Sequence, residues 1–379
     1  MNPIYLDYAA TTPLDERVLE SMLPYLREVH ANPSSLHAPG RQARRGVEEA
    51  REQVAAAIGA KAKEIVFTSG ATEADNMALR AVAARHPGGH IVTSSVEHAA
   101  VLATAQELNA QGHPVTYLEP NEHGAISPAA VAEALRDDTV LVALMAVNNE
   151  TGVKADVAAI GELVKEKGFL FFCDAVQAFG FQAVDVTTFG VDLLSLSAHK
   201  VYGPKGGGVL YVREGLELPP LLYGGEQERG LRAGTHNVPA IVGMGRAAEL
   251  VAERLTGVEE LAARRDRFEK RLLRLDGVSS NGAHAPRGPK HCNVGVRGVD
   301  GEALLMSLDA LGVYASAGSA CAAGSLEPSH VLTAMGLSGE QAKASVRFSL
   351  GYEVMESQLE EAARRFAEAV ERCRAFAEV

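Results

Sequence analysis

The sequence predicts an α/β protein: a large domain built on a mostly parallel, seven-stranded sheet, joined to a smaller α+β domain. Three observations lead there. From about Lys63 to Val212 short apolar strands alternate with helical stretches, the order of a sheet crossed by helices. Several of those strands are apolar without interruption, as suits strands covered on both faces. Past about Pro239 the pattern changes to charge-rich helix and then to short strands and helices, so a second unit begins. The chain has 379 residues, a length that suits two domains.

Strands are expected at Ile65–Thr68, Ile91–Ser95, Val115–Leu118, Val140–Val147, Phe169–Cys173, Leu193–Leu196 and Val209–Val212. Helices are expected at 40–58, 72–85, 99–111, 128–136 and 155–167. In the second of these Ala74, Met77, Ala78, Ala81 and Val82 fall on one helical face. Residues 213–237 read as irregular and glycine-rich, and Pro239 to Leu275 as one long helix. The remainder holds strands near Asn293–Val296 and Ser345–Leu350 and helices near 300–311, 327–335 and 354–375. These patterns divide the chain into a large domain, 15–255, and a small one made of 1–14 and 256–379.

Asp and Glu outnumber Lys and Arg by 48 to 36, a net charge of −12. That balance argues against nucleic acid or an anionic membrane as partner. The longest apolar run, Val140–Val147, is far too short to span a bilayer. The first residues lack the basic and apolar regions of a secretory signal. The four cysteines (Cys173, Cys292, Cys321, Cys373) are scattered, with no CxxC. This speaks against zinc and disulfide frameworks and for a reduced cytoplasm.

The most informative residue is Lys200. A buried strand through 192–197 runs into Ala198-His199-Lys200 and then a glycine-rich turn, 203–208. Twenty-six residues earlier another buried strand ends in Asp174. A lysine that can form a Schiff base and an acid that can hold a pyridine nitrogen are what pyridoxal phosphate requires of a protein. Alone, each is an ordinary residue; together in one α/β frame they favour the cofactor. Residues 64–73 read as strand, small-residue turn and helix, and a helix N-terminus of this kind attracts phosphate. Ser197, His199 and the Thr72 hydroxyl can add donors. Read without Lys200 and Asp174, the same stretch is a capped helix.

Other candidates have two readings each. His98, at a helix N-terminus, is biased toward the neutral form and can stack on a ring or serve as a base, or it is a capping residue. Asn148 and Asn149 end an apolar strand, where open sheets bind ligands, or they make a turn. Gln177 can donate to the cofactor's phenolic oxygen. Arg347 sits inside an apolar strand and needs an anion, either a substrate carboxylate or a structural partner. Cys321 lies among small residues, 315–325, and reads as a nucleophile on a swinging loop or as a thiol packed in a turn.

These residues resemble the NifS/IscS-type cysteine desulfurases, in the class V branch of fold-type I pyridoxal-phosphate enzymes. The matching stretches are 5–13, 67–73, Glu97-His98, 147–150, Asp174 with Gln177, 197–206, 228–235, 318–321, 325–329 and 347–351. They follow the family's order over nearly the whole chain. The resemblance implies Lys200 as the Schiff-base lysine, Asp174 on the pyridine nitrogen, Gln177 on the phenolic oxygen and His98 stacked on the ring. It implies Ala71, Thr72, Ser197 and His199 on the phosphate, and Thr235 on the phosphate of the other subunit of a homodimer. Asn149 and Arg347 would hold the carboxylate of L-cysteine, and Cys321 would become a persulfide for a sulfur-acceptor protein such as an iron–sulfur scaffold. Ala317 stands where the family has serine, and Ala322-Ala323-Gly324 follow the cysteine; neither change removes a reacting group. Rival readings are an aminotransferase or selenocysteine lyase, a thiol hydrolase using Cys321 and His98, and a non-catalytic sulfur scaffold.

Overall fold

A computed structural model describes residues 2–317 and 327–377. Thirteen strands follow in chain order: β1 (Ile4–Tyr5), β2 (Ile65–Thr68), β3 (His90–Ser94), β4 (Val115–Leu118), β5 (Thr139–Met145), β6 (Leu170–Asp174), β7 (Leu193–Ser197), β8 (Gly208–Val212), β9 (Val278–Ser280), β10 (His291–Val296), β11 (Val313–Tyr314), β12 (Ser316–Ala317) and β13 (Ser345–Ser349). Among the described residues they form three sheets. The largest has seven strands in the order β2-β8-β7-β6-β5-β3-β4. Only β8 runs against the rest, pairing antiparallel with both β2 and β7. A four-stranded antiparallel sheet, β12-β13-β10-β9, and the parallel pair β1-β11 lie outside it.

Alternation along each strand feeds two cores. In β2, Ile65 and Phe67 enter one and Val66 the other, because successive side chains point to opposite faces. A third core joins β1, β10 and β13 to the helices Val258–Leu272 and Glu356–Ala377, through Leu6, Phe268, Phe348 and Phe366. Each such buried side chain contributes about 1.5–3 kcal/mol relative to exposure. Leu6 brings the N-terminal segment into this core rather than into the large sheet.

All seven strands predicted for the large sheet are present, as are the five helices predicted with them, within a few residues at each end. The long helix predicted from Pro239 to Leu275 is instead three helices, Val238–Glu249, Val251–Leu255 and Val258–Leu272. Leu250 and Gly257 interrupt it, and Gly257 stands at the N-cap of the third. The helix Glu16–Arg27, unpredicted, starts at the Asp15 cap and carries Pro24 inside. An interior proline costs a hydrogen bond and masks the pattern. Among the described residues no helix is long and apolar enough to cross a membrane.

The glycine-rich segment 213–237 is irregular, as predicted, and one buried ion pair ties it down. Arg51 grips Glu228 with both guanidinium ends, at 2.7 and 2.8 Å. The same carboxylate accepts from the Phe67 backbone N–H at 2.8 Å and lies 2.7 Å from His236 Nε2. Glu228 and Arg229 have φ of 47° and 58°, a left-handed conformation costing about 1–3 kcal/mol for non-glycine residues. Burial alone would raise the Glu228 carboxyl; Arg51, His236 and the Phe67 N–H override it and bring it down to about 2. Glu228→Gln should therefore destabilise the fold by about 3–5 kcal/mol at neutral pH. The carboxylate's contribution is complete above its ordinary value near 4.5 and is lost as pH falls toward about 2. Urea titrations should show the wild type and the variant converging across that range.

Candidate active site

The carboxyl ends of β2, β3, β5, β6 and β7 open onto one cavity of about 550 Å³. This is where open α/β sheets bind ligands. It brings together ten of the residues singled out in the sequence: Ala71, Thr72, His98, Asn149, Asp174, Gln177, Ser197, His199, Lys200 and Arg347. Thr235 is exposed and is not among the lining residues of this chain. Cys321 lies outside the described residues.

Lys200 ends a short 3-10 turn, Ala198–Lys200, that follows β7. Its Nζ donates to the carbonyl oxygens of Ala9 and Ala10, at 2.6 and 2.8 Å. Those carbonyls belong to the N-terminal segment, which Thr12 fastens to the turn. Thr12 donates from its N–H and its hydroxyl to the His199 carbonyl, at 2.9 and 3.0 Å, and accepts from the Tyr202 N–H at 2.7 Å. On the other side Ala9 N–H donates to Ser349 Oγ at 2.8 Å. The lysine is thus aimed by residues nearly two hundred positions away.

The helix Ala71–Arg85 begins at Gly70, whose first turn has no side-chain cap among the described residues. Its free N–H groups face the cavity with Thr72 beside them, an arrangement that suits a phosphate. Gly208 of β8 lets the backbones close in: a Cβ there would sit 2.5 Å from Gly70. His199 adds an imidazole, with Nδ1 3.1 Å from the Thr11 hydroxyl. Burial, then the charges of Lys200, Lys205 and Lys290, lowers its pKa to about 4, so it is a neutral donor at pH 7. Glu73, in the same turn and also lining the cavity, is paired with Arg232 at 2.7 Å.

Asp174 closes β6 and its Oδ1 accepts from the Val176 N–H at 2.9 Å. Burial pushes its carboxyl up, while His98, the Val176 N–H and Lys200 oppose the shift. Gln177 donates to the Ala9 carbonyl at 3.0 Å; an amide has two donors, so one is left. His98 caps its helix, with Nδ1 accepting from the Ala100 N–H at 3.2 Å. The two readings of His98 are compatible: the cap occupies Nδ1 and the ring lines the cavity.

The two asparagines separate. Asn148 builds the turn, accepting from the N–H groups of Glu150 and Thr151 and donating to the Val96 carbonyl at 2.9 Å. Asn149 lines the cavity, and its backbone carbonyl oxygen accepts from Arg347 Nη1 at 2.9 Å. Arg347, almost fully buried, has a structural anion: its Nη2 donates to Asp7 at 2.8 Å. Its Nε finds no partner among the described residues.

Sequence reasoning missed Ala9 and Ala10, Asp7, Asp75 and Lys290. Asp75 also lines the cavity. Lys290 is fully buried, 3.7 Å from the Phe181 ring centroid, and its amine is pushed far down by burial and then by Lys200 and Arg347. Asp75 stands one turn inside the cradle helix, where a single acid gives no local signal. Cys173 and Cys292 are fully buried core residues and Cys373 is half-buried.

A mostly parallel sheet of this order, with a lysine, a buried acid and an open helix end along its carboxyl edge, is the fold-type I architecture. The chain belongs to the aminotransferase class-V family, whose model matches residues 4–361. It is 50% identical to a "Cysteine desulfurase IscS" of Anaeromyxobacter sp. (strain K), over 98% of this chain and 93% of that protein. Among solved structures it is similar to a "NifS-like protein" with a TM-score of 0.92 and 35% identity, covering 98% of this chain and 100% of that one. It is also similar to "SspA in complex with cysteine", with a TM-score of 0.81 and 41% identity, over 92% and 98% of the two chains.

Proposed function

We propose that the protein is a cysteine desulfurase that converts L-cysteine to L-alanine and carries the released sulfur as a persulfide on Cys321. The observation that carries this reading is the convergence of Lys200, Asp174 and the uncapped helix end at Gly70 on one cavity. Those groups fit pyridoxal 5'-phosphate. Ala71, Thr72, Ser197 and His199 would hold its phosphate, Asp174, Gln177 and His98 its ring, and Lys200 its aldehyde carbon; Asn149 also lines that site. When bound, the cofactor supplies a sink for negative charge at the substrate Cα. The relatives named cysteine desulfurase and the structure of SspA with cysteine support L-cysteine as substrate.

Within that frame the chain's own residues have these tasks. Arg347 and Asn149 hold the substrate carboxylate, for which the guanidinium's remaining donors are suited. Lys200 Nζ removes the proton from Cα. Cys321 Sγ forms an S–S bond to the substrate sulfur as the Cβ–S bond breaks, and a proton delivered to the remaining carbon skeleton leads to alanine. His98 would exchange a proton with the thiol. Thr235, exposed here, would reach the phosphate of the other subunit of a homodimer. The persulfide then passes to an acceptor protein such as an iron–sulfur scaffold, in the cytoplasm. The division into 15–255 and 1–14 with 256–379 is supported by the separate core that holds Leu6 together with Phe348.

Purified protein supplied with pyridoxal phosphate and L-cysteine should form alanine and, with a thiol reductant, an equal amount of sulfide. Mass spectrometry without reductant should find one added sulfur atom on Cys321. Amino transfer to a keto acid in place of alanine release would overturn the assignment.

A further inference from the structure

Two carboxyl groups, Asp174 and Asp75, line the floor of the cavity and a third, Glu97, is buried behind them; only Asp174 has a described task. Asp174 comes from the end of β6, Glu97 from the turn after β3, and Asp75 from the second turn of the helix Ala71–Arg85. Asp75 and Glu97 are each 1% exposed. Glu97 accepts from the Ser94 hydroxyl at 2.6 Å through Oε1, while its Oε2 finds no partner among the described residues. Asp75 lines the cavity, and the Ser195 hydroxyl of β7 faces its carboxyl. Neither that hydroxyl nor the Asp75 carboxyl has any other hydrogen-bond partner among the described residues.

We propose that Asp75 is a positioning residue that stands as a neutral carboxylic acid, leaving Asp174 the single carboxylate beneath the ring. The inference rests on the cofactor reading above. A buried carboxyl whose one partner is a neutral hydroxyl is a poor home for a charge, which is costly there without a cation. A protonated acid is a different object. It brings an O–H donor, and the groups that face it are the Asp174 carboxylate, the Ser195 hydroxyl and Glu97.

The electrostatics agree with the geometry. Burial, then the neighbouring Asp174, drives Asp75 well above the ordinary carboxylate range, against the pull of the Ser195 hydroxyl. Burial likewise raises Glu97, to about 8, against the pull of Ser94 and the Met145 backbone. Asp174 alone has cations opposing its burial, His98 and Lys200. Like charges this close do not all ionise, so the proton settles on the members without cations. Asp174 would then offer one full negative charge to a pyridinium nitrogen.

The test compares Asp75→Asn with Asp75→Ala. The amide keeps the shape, the neutrality and a donor; the methyl keeps neither shape nor donor. The dissociation constant of pyridoxal phosphate should stay within about threefold of wild type for D75N. It should rise about tenfold for D75A, the loss expected for one hydrogen bond to a charged group. A D75N protein that loses as much cofactor affinity as D75A, or a D75A protein that loses none, would overturn the proposal. A second measurement needs no cofactor. The infrared C=O band of a protonated carboxyl in the apoprotein at pH 7 should weaken in D75N relative to wild type. An unchanged band would mean that Asp75 is ionised and would sink the proposal, whatever the fate of the cofactor reading. Wild-type protein that binds no pyridoxal phosphate would defeat that reading instead.

Discussion

Lys200→Ala should lower cysteine-dependent alanine formation by roughly 10³-fold or more, the scale on which a positioned proton-transfer group and a covalent anchor act. The same change should leave the fold nearly intact. The Nζ bonds to Ala9 and Ala10 are lost, but Thr12, Tyr202 and Ser349 still hold the N-terminal segment. Hydrogen bonds from a charged donor contribute about 1.5–3 kcal/mol each, so thermal unfolding should shift by less than about 10 °C. Lys200→Arg sharpens the test, because a guanidinium keeps the charge and the donors for those carbonyls yet cannot form the imine. Stability should recover in the arginine variant while activity stays as low as in the alanine one. Either variant retaining more than about a tenth of the wild-type rate would remove Lys200 from the chemistry.

That separation between the reacting atom and its supports also marks what the sequence discloses. Asp174, Lys200 and the Gly70–Thr72 turn are legible because each ends a buried strand, and a buried parallel strand is a continuous apolar run. A polar residue at its carboxyl end stands out. The supports are illegible for the opposite reason. The carbonyls of Ala9 and Ala10 carry no side-chain signal, and they reach Lys200 across 191 and 190 positions. Arg347 announced a need for an anion, but Asp7 lies 340 residues away and nothing local names it. Asn148 and Asn149 are chemically the same; only the turn decides which amide is consumed by the backbone. Asp75 was hidden because one acid in a helix reads as solvated surface. Its meaning appears only when β6 and the turn after β3 bring two more acids to it. The long helix predicted over Pro239–Leu275 fails at Gly257, where charge density and apolar spacing continued across a break.

Cys321→Ser should produce the other large effect: loss of sulfide release by roughly 10³-fold or more, with the yellow cofactor complex unchanged. Serine preserves size but supplies a hydroxyl that neither ionises near neutrality nor holds a sulfane sulfur. Replacement by another thiol of the chain is closed off among the described residues. Cys173 and Cys292 are fully buried, and burial drives both thiols far above the ordinary range. Cys373 sits half-buried on the last helix, also raised by burial, and does not line the cavity. An unassisted thiol with a pKa near about 8.5 is mostly protonated at pH 7. The wild-type rate should therefore climb with pH as the thiolate forms, and a group such as His98 should set where the climb begins. His98→Gln should move that rise toward the ordinary thiol value, whereas C321S should show no rise at any pH. The cofactor spectrum of C321S should still respond to added L-cysteine, because Arg347, Asn149 and Lys200 are untouched. A C321S protein that releases sulfide at a rate within tenfold of wild type would show that the sulfur leaves by a route that needs no persulfide on this residue.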